Sequence, residues 1–297
     1  MYRKLIIVPF LLAIVVGCTA TGFSFDPVVS RSDTLTIATF NVRIRTDSDK
    51  GVRSWQQRRN HVAALIHRNS FDVVGVQELI DEDQEKELTT RMASYSVYSK
   101  GRDNTEGTKG ERLAIYYLKD RYKCLQEGYF FLSETPDIAS KGWDAALNRI
   151  CQWVELQDKV TDKRFFVFNT HFDHVGKVAR ANSAHLITEK IKLIAGDKKV
   201  LLLGDFNASP ADASVYTVLS SALFDSRRVA ISKSEPSIGT FNGWNTGVSN
   251  FAENVRIDYV FTSFDDSIIE YRVINDTYSE GAYPSDHFPV MIRLKAR

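Results

Sequence analysis

VLLLGDFNASP, residues Val200 to Pro210, sets four consecutive apolar side chains in front of a glycine, an acid and an amide. An apolar run this short, bounded by turn formers, reads as a strand buried on both faces. Asp205 and Asn207 follow two apart. Side chains alternate along a strand, so both point the same way from its end. An acid that can take a proton then stands beside an amide that can hold a water. The same letters also describe a strand running into an ordinary turn. Repetition decides between the two. LTIATFNVR, Leu35–Arg43, delivers Asn41 at its end. DVVGVQ, Asp72–Gln77, runs into Glu78, and Phe165–Thr170 runs into His171. Asp258 sits in RIDYVF, and Asp286 with His287 in the loop PSDH.

Further runs read as strands over Leu113–Leu118, Lys123–Leu132, Arg149–Leu156, Ile257–Thr262, Ile268–Val273 and Phe288–Leu294. Helical spacing appears at Trp55–Arg68 and Val178–Ala195, where Ala184, Ile187, Ile191 and Ile194 form one stripe. Acidic residues 81–87 open a short helix, and the polar, Gly-rich residues 100–111 read as a surface loop. There are too many strands for simple β-α alternation. The pattern predicts α+β architecture, with two mainly antiparallel sheets packed face to face and helices outside.

Residues 1–17 stand apart. Arg3 and Lys4 precede an apolar run, Leu5 to Val16, which is short for a bilayer span and has the form of an export signal. It ends in Gly17-Cys18, which resembles a bacterial lipobox with valine, Val15, where leucine is usual. The expectation is a signal peptide over 1–17, lipidation at Cys18, a tether over 18–33 and one domain over 34–297. Such a chain is a periplasmic or cell-surface lipoprotein that meets the membrane only through its anchor. An ordinary cleaved signal is the alternative. Removing 1–17 takes away two basic residues and no acid, so the formal charge moves from +1 to −1. A near-neutral domain has no global basic footprint, which disfavours nucleic acid as the partner. Cys124 and Cys151 are read as buried free thiols.

The polar set suits one chemistry. Carboxylates and amide oxygens are hard ligands for Mg²⁺ or Mn²⁺. The cysteines do not cluster and no HExxH occurs, which gives zinc little support. Imidazoles bind phosphate oxygens or move protons. Together they describe metal-assisted attack of water on a phosphate ester. No Gly-rich phosphate-binding loop of the nucleotide-triphosphatase type is present.

In their order, FNVR, GVQE, NTHFDH, GDFN, RIDYVF and SDHFPV resemble the endonuclease/exonuclease/phosphatase superfamily over about residues 34–295. The resemblance implies a four-layer αββα sandwich with the site at one edge of the two sheets, and a metal-dependent phosphoric ester hydrolase. It implies Glu78 as main Mg²⁺ ligand with Asn41 and Asp286, and Asp205 as the group that manages the water or leaving-group proton. Asn207 would orient the nucleophile, His171 and His287 would hold the phosphate, and Asp258 would orient His287. Some members carry an acid where Arg43 stands, which puts a second metal ligand there in doubt. NTHFDH followed by a helix is closer to the deadenylase and sphingomyelinase-like branches. Arg149 is a candidate substrate contact, and Trp143, Phe241 and Trp244 are candidate pocket walls. The rival readings are a secreted nuclease acting on DNA or RNA, and a non-catalytic binding protein on the same fold. The presence of every central residue weighs against the latter.

Overall fold

The computed structural model describes residues 33–234, 238–245 and 255–295. The expected signal, Cys18 and tether lie outside the described residues. In chain order the first elements are β1 (Thr34–Asn41), α1 (Trp55–Arg68), β2 (Val73–Leu79), α2 (Glu82–Thr89), β3 (Tyr95–Gly101) and β4 (Arg112–Leu118). Then come β5 (Tyr122–Phe131), β6 (Ile150–Asp158), β7 (Arg164–His171), α3 (Lys177–Ala195), β8 (Lys199–Asp205) and α4 (Ala213–Ala222). The rest are β9 (Phe224–Asp225), α5 (Ser226–Val229), β10 (Ser232–Ser234), β11 (Asp258–Thr262), β12 (Ile268–Val273) and β13 (Val290–Lys295). Five of these escape the hydropathy pattern: β3, whose outer residues are polar, α4, and the short β9, α5 and β10.

The strands form two sheets, ordered β10-β12-β13-β1-β2-β4-β3 and β5-β6-β7-β8-β11-β9. Each has a parallel pair at its centre, β1 with β2 and β7 with β8. Most other pairings are antiparallel, as expected. Parallel neighbours need a crossover. It runs through α1 in one sheet and α3 in the other, so each central pair is a β-α-β unit with its helix outside.

Alternation along β8 shows how the layers are built. Leu201 and Leu203 enter the core shared by the two sheets, while Val200 and Leu202 pack outward with Ala184, Ile187 and Ile191 of α3. Phe165 and Val167 of β7 face inward, and Phe166 and Phe168 outward. The same parity carries Asn169, His171 and Asp205 onto the inner side. On the facing sheet, α1 buries Trp55, Val62, Leu65 and Ile66, as its spacing predicted. Cys151 is buried and Cys124 only half-buried, a correction to the expectation of two buried thiols; both are free. The outer position of β5 in its sheet leaves Cys124 partly open. Among the described residues no helix is long and apolar enough to cross a membrane.

A buried amide pair interrupts the apolar interface beneath the strand ends. The Gln77 Nε2 amide donates to Asn169 Oδ1 at 2.6 Å and to Thr39 Oγ1 at 3.0 Å. Asn169 Nδ2 donates to the carbonyls of Val76 and Ala114 at 3.0 and 3.1 Å. Gly75 leaves room for it, since a Cβ there would lie 2.7 Å from Asn169 Oδ1. Truncating Asn169 takes a donor from two buried carbonyls and leaves one Gln77 N–H without its acceptor, a buried unsatisfied group costing about 1–3 kcal/mol. Asn169→Ala is therefore expected to lose at least about 2 kcal/mol in a urea melt. A loss below roughly 0.5 kcal/mol, the ordinary level for surface changes, would show that the amide pair does not tie the sheets.

Candidate active site

The C-terminal ends of the two central parallel pairs meet across the sandwich. Asn41 ends β1, and Glu78 is next to last in β2; His171 and Asp205 end β7 and β8 as register partners. Asp258 begins β11 opposite Asp205. The loop 284–287 brings Asp286 and His287 in from the side.

Local backbone geometry, rather than strand parity, aims Glu78. Gly75 and Gln77 face the second sheet, so alternation would send Glu78 towards α1. The β2–β4 register breaks between Val76 and Leu79, and Glu78 adopts φ 64°. Its Oε1 then accepts from Asn41 Nδ2 at 3.0 Å and its Oε2 from the Ile44 N–H at 3.1 Å. Arg43 (φ 61°) and Asn207 (φ 47°) are also left-handed. A non-glycine residue there stores about 1–3 kcal/mol of strain, which surrounding contacts must outweigh.

Asp205 is the hub. It is 1% exposed. Its Oδ2 accepts from Asn41 Nδ2 at 3.0 Å and lies 3.5 Å from His171 Nε2 and 3.8 Å from His287 Nε2. Its Oδ1 accepts from the Asn207 N–H at 2.9 Å. Burial, then the charge of Asp258, raises its pKa above the usual carboxylate range, so it is suited to holding a proton. Burial also works against ionisation of Glu78, but the neighbouring imidazoles and the Asn41 hydrogen bond leave its pKa lowered.

The two histidines differ. His287 Nδ1 meets Asp258 Oδ2 at 2.9 Å. Burial disfavours its charge, but Asp258 and Asp205 outweigh burial and hold the ring well above its ordinary pKa, as an imidazolium. His171 is driven down to about 3 by burial and by the charge of Arg149, and is neutral at pH 7. Asn207 Nδ2 spends one hydrogen on the Phe172 carbonyl (3.0 Å) and directs the other at His171 Nε2 (3.1 Å). That network assigns Nε2 as acceptor and turns Nδ1–H towards Glu111 Oε1, 3.4 Å away.

Arg149 lines a small cavity together with His171, Arg102 and Glu111. It is buried, 3.5 Å from Asp173 and 3.0 Å from His174 Nδ1, and 3.8 Å from Glu111. Glu111 and its ion-pair partner Arg102 (2.6 Å) were hidden in a stretch read as surface loop. Nothing in the sequence separates such an acid from a solvated one. Asp286 faces Arg43 Nη1 at 3.6 Å, and Arg43 Nε meets Asp49 at 3.2 Å, so a cation already stands among these acids. Phe241 packs its ring 5.0 Å from that of His287. Trp244 lies over Arg58, and the Trp143 N–H binds Glu134.

Two triads among the described residues can offer ligand atoms within 4.8 Å of one another, Glu78/His171/Asp205 and Asp205/Asp258/His287. The carboxylate oxygens of the first triad are hard donors that suit Mg²⁺ or Mn²⁺, whereas His287, held as an imidazolium against Asp258, offers the second triad no lone pair. Asp286 is in neither triad, and the Asn41 oxygen accepts from the Arg43 N–H at 3.0 Å while its nitrogen bridges Glu78 and Asp205.

A family model described as "Endonuclease/Exonuclease/phosphatase family" matches residues 38–287. The mannosyl-6-phosphatase of Bacteroides thetaiotaomicron is 38% identical, with a TM-score of 0.81 and 87% of this chain and 98% of that one covered. A Bacteroides vulgatus endonuclease/exonuclease/phosphatase structure is 31% identical, with a TM-score of 0.81 over 89% and 99% of the two chains. An uncharacterised protein of Acanthamoeba polyphaga mimivirus is 29% identical over 81% of this chain and 92% of its own.

The Asp258–His287 contact generates a test. Asp258→Ala and His287→Ala should be strongly non-additive in turnover, because each removes the same pair. Losing a donor to a developing oxyanion typically costs on the order of 10²–10³. If the two losses simply multiply, Asp258 is a structural strand acid.

Proposed function

Since the chain belongs to the endonuclease/exonuclease/phosphatase family, we propose that it hydrolyses a phosphate ester, using Mg²⁺ or Mn²⁺ held at Glu78. Hexose 6-phosphates are the first substrate class to consider, because the mannosyl-6-phosphatase of B. thetaiotaomicron is 38% identical over nearly its whole length. The observation that carries the reading is Asp205 Oδ2, buried within 4 Å of Asn41, His171 and His287.

When bound, the cation supplies charge neutralisation and polarisation of a phosphoryl oxygen. Glu78 is the ligand best prepared for it, with one oxygen fixed by the Ile44 N–H. Asp205 takes a proton from the attacking water or returns it to the leaving oxygen. Its raised pKa favours that exchange. Asn207, held by the Phe172 carbonyl and His171, orients the water or phosphate. The His287 imidazolium, braced by Asp258, donates from Nε2 to a phosphate oxygen whose charge grows as the new P–O bond forms and the ester P–O bond breaks. The products are an alcohol and the corresponding phosphate.

A panel of mannose 6-phosphate, glucose 6-phosphate, bis(p-nitrophenyl) phosphate, plasmid DNA and RNA, each with Mg²⁺ or chelator, tests the proposal. Metal-dependent phosphate release from the hexose phosphates is expected, and cleavage of DNA or RNA alone would favour the nuclease reading. Glu78→Gln should abolish metal-dependent turnover with the fold intact, and wild-type Mg²⁺ affinity in that variant would remove Glu78 from the metal site. Asp205→Asn should slow turnover by ~10²–10⁴ while changing metal affinity less than Glu78→Gln does.

Export and anchoring belong to the same proposal. They are supported by Arg3-Lys4, the apolar run and Gly17-Cys18. Mass spectrometry of the mature N-terminus should find an acylated Cys18; a different first residue without acyl mass would refute the anchor.

A further inference from the structure

Arg58 is a fully buried cation with no described carboxylate in ion-pair distance. It sits in the first turn of α1, the end of a helix that disfavours positive charge. Burial lowers its pKa to about 10, which leaves it charged at neutral pH. An isolated buried charge is costly, so the compensating contacts identify what it is for. Nε donates to the Arg53 carbonyl at 2.7 Å. Nη1 donates to the carbonyls of Val42 at 2.7 Å and Pro284 at 2.9 Å, and Nη2 to that of Arg43 at 3.3 Å. The guanidinium also lies 5.4 Å from the Trp55 ring and 5.2 Å from the Trp244 ring, within the range of cation–π attraction.

These partners are not scattered. Val42 and Arg43 directly follow Asn41. Pro284 opens the loop that carries Asp286 and His287. Trp244 ends a turn hung on the Asp286 carbonyl by the Asn242 and Gly243 N–H groups, at 2.8 and 3.1 Å. A second strap runs parallel, Ser285 Oγ donating to the Asn41 carbonyl at 2.7 Å. Four carbonyls around one group match the planar five-donor fork of arginine; the ammonium of lysine, with three donors on one nitrogen, cannot reach them all.

We propose that Arg58 is a positioning residue for the cation-binding side of the site, holding the Asn41–Arg43 turn against the Pro284–His287 loop and so setting Asn41 and Asp286 relative to Glu78. The inference rests on the cation requirement proposed above. Groups that orient ligands from behind typically contribute 10- to 100-fold in metal affinity.

The test is calorimetric titration of Mn²⁺ into the full chain, alongside thermal melts. Arg58→Met should bind Mn²⁺ roughly 10- to 100-fold more weakly than wild type, and Arg58→Lys should fall between them. Arg121→Met is the comparison. Arg121 is also buried but lies at the other end of β1, against Asp72, Asp158 and the Thr34 carbonyl. It should lower the melting temperature yet leave Mn²⁺ affinity within about twofold, since distant sites act independently. Wild-type affinity in Arg58→Met, or an equal loss in Arg121→Met at a matched drop in melting temperature, would overturn the positioning role. Absence of Mn²⁺ binding by the wild type would overturn the cation reading itself and this inference with it. Should Arg58→Met not fold, the lysine variant, which keeps the charge, carries the same comparison.

Discussion

The site is divided between two sheets, and everything it does depends on their registry. The Gln77–Asn169 amide pair ties the two sheets together directly beneath the site. Apolar faces slide over one another at little cost, because burial is non-directional. A buried amide does not slide, since moving it orphans donors and acceptors at about 1–3 kcal/mol each. Gln77 immediately precedes Glu78, and Asn169 lies two residues before His171. The pair is therefore one step beneath the site on both sides, joining the Glu78 half to the Asp205 half with hydrogen bonds of 2.6–3.1 Å. Gly75 is part of the same device, since any side chain there would displace Asn169.

On that frame, one kind of environment gives two like residues opposite charge states. Both imidazoles are buried and both stand within 4 Å of Asp205. His287 has a carboxylate at hydrogen-bond distance on Nδ1 and stays charged. His171 has Arg149 and Arg102 nearby and stays neutral, although Glu111 faces its Nδ1. Burial is the largest influence on both rings: at His287 the charges of Asp258 and Asp205 outweigh it, whereas at His171 the charge of Arg149 adds to it. A donor and an acceptor are thus set on either side of one proton-holding carboxylate. The left-handed backbone at Arg43, Glu78 and Asn207 belongs to the same economy of placement, because each residue turns a functional group inward where regular geometry would not.

Much of this was legible from the chain. The apolar runs at 73–76, 165–168 and 200–203 found their strands, and the 3.6-residue stripe found α1 at both ends and α3 within one residue. The convergence of Asn41, Glu78, His171, Asp205, Asn207, Asp258 and His287 on one edge followed the repeated rule of apolar strand ending in polar group. Polar β3 escaped because alternation with few apolar residues carries no signal. Glu111 and Arg102 escaped because a loop acid and its partner look like solvated charge. Arg58 was one more basic residue in the QQRRN run of a helix.

What the sequence by itself determined is therefore the set of buried strands, the helix stripes and the inventory of hard, proton-active groups at strand ends, because periodicity and residue chemistry are local properties. What only the tertiary structure decided is which way those groups point and what charge they carry. Glu78 faces the site through a register break and a left-handed turn, not through alternation. Burial, helped by the charge of Arg149, keeps His171 neutral, while Asp286 stands against Arg43. Orientation and pKa depend on neighbours brought from tens to hundreds of residues away, and no local pattern in the chain encodes a distance between them.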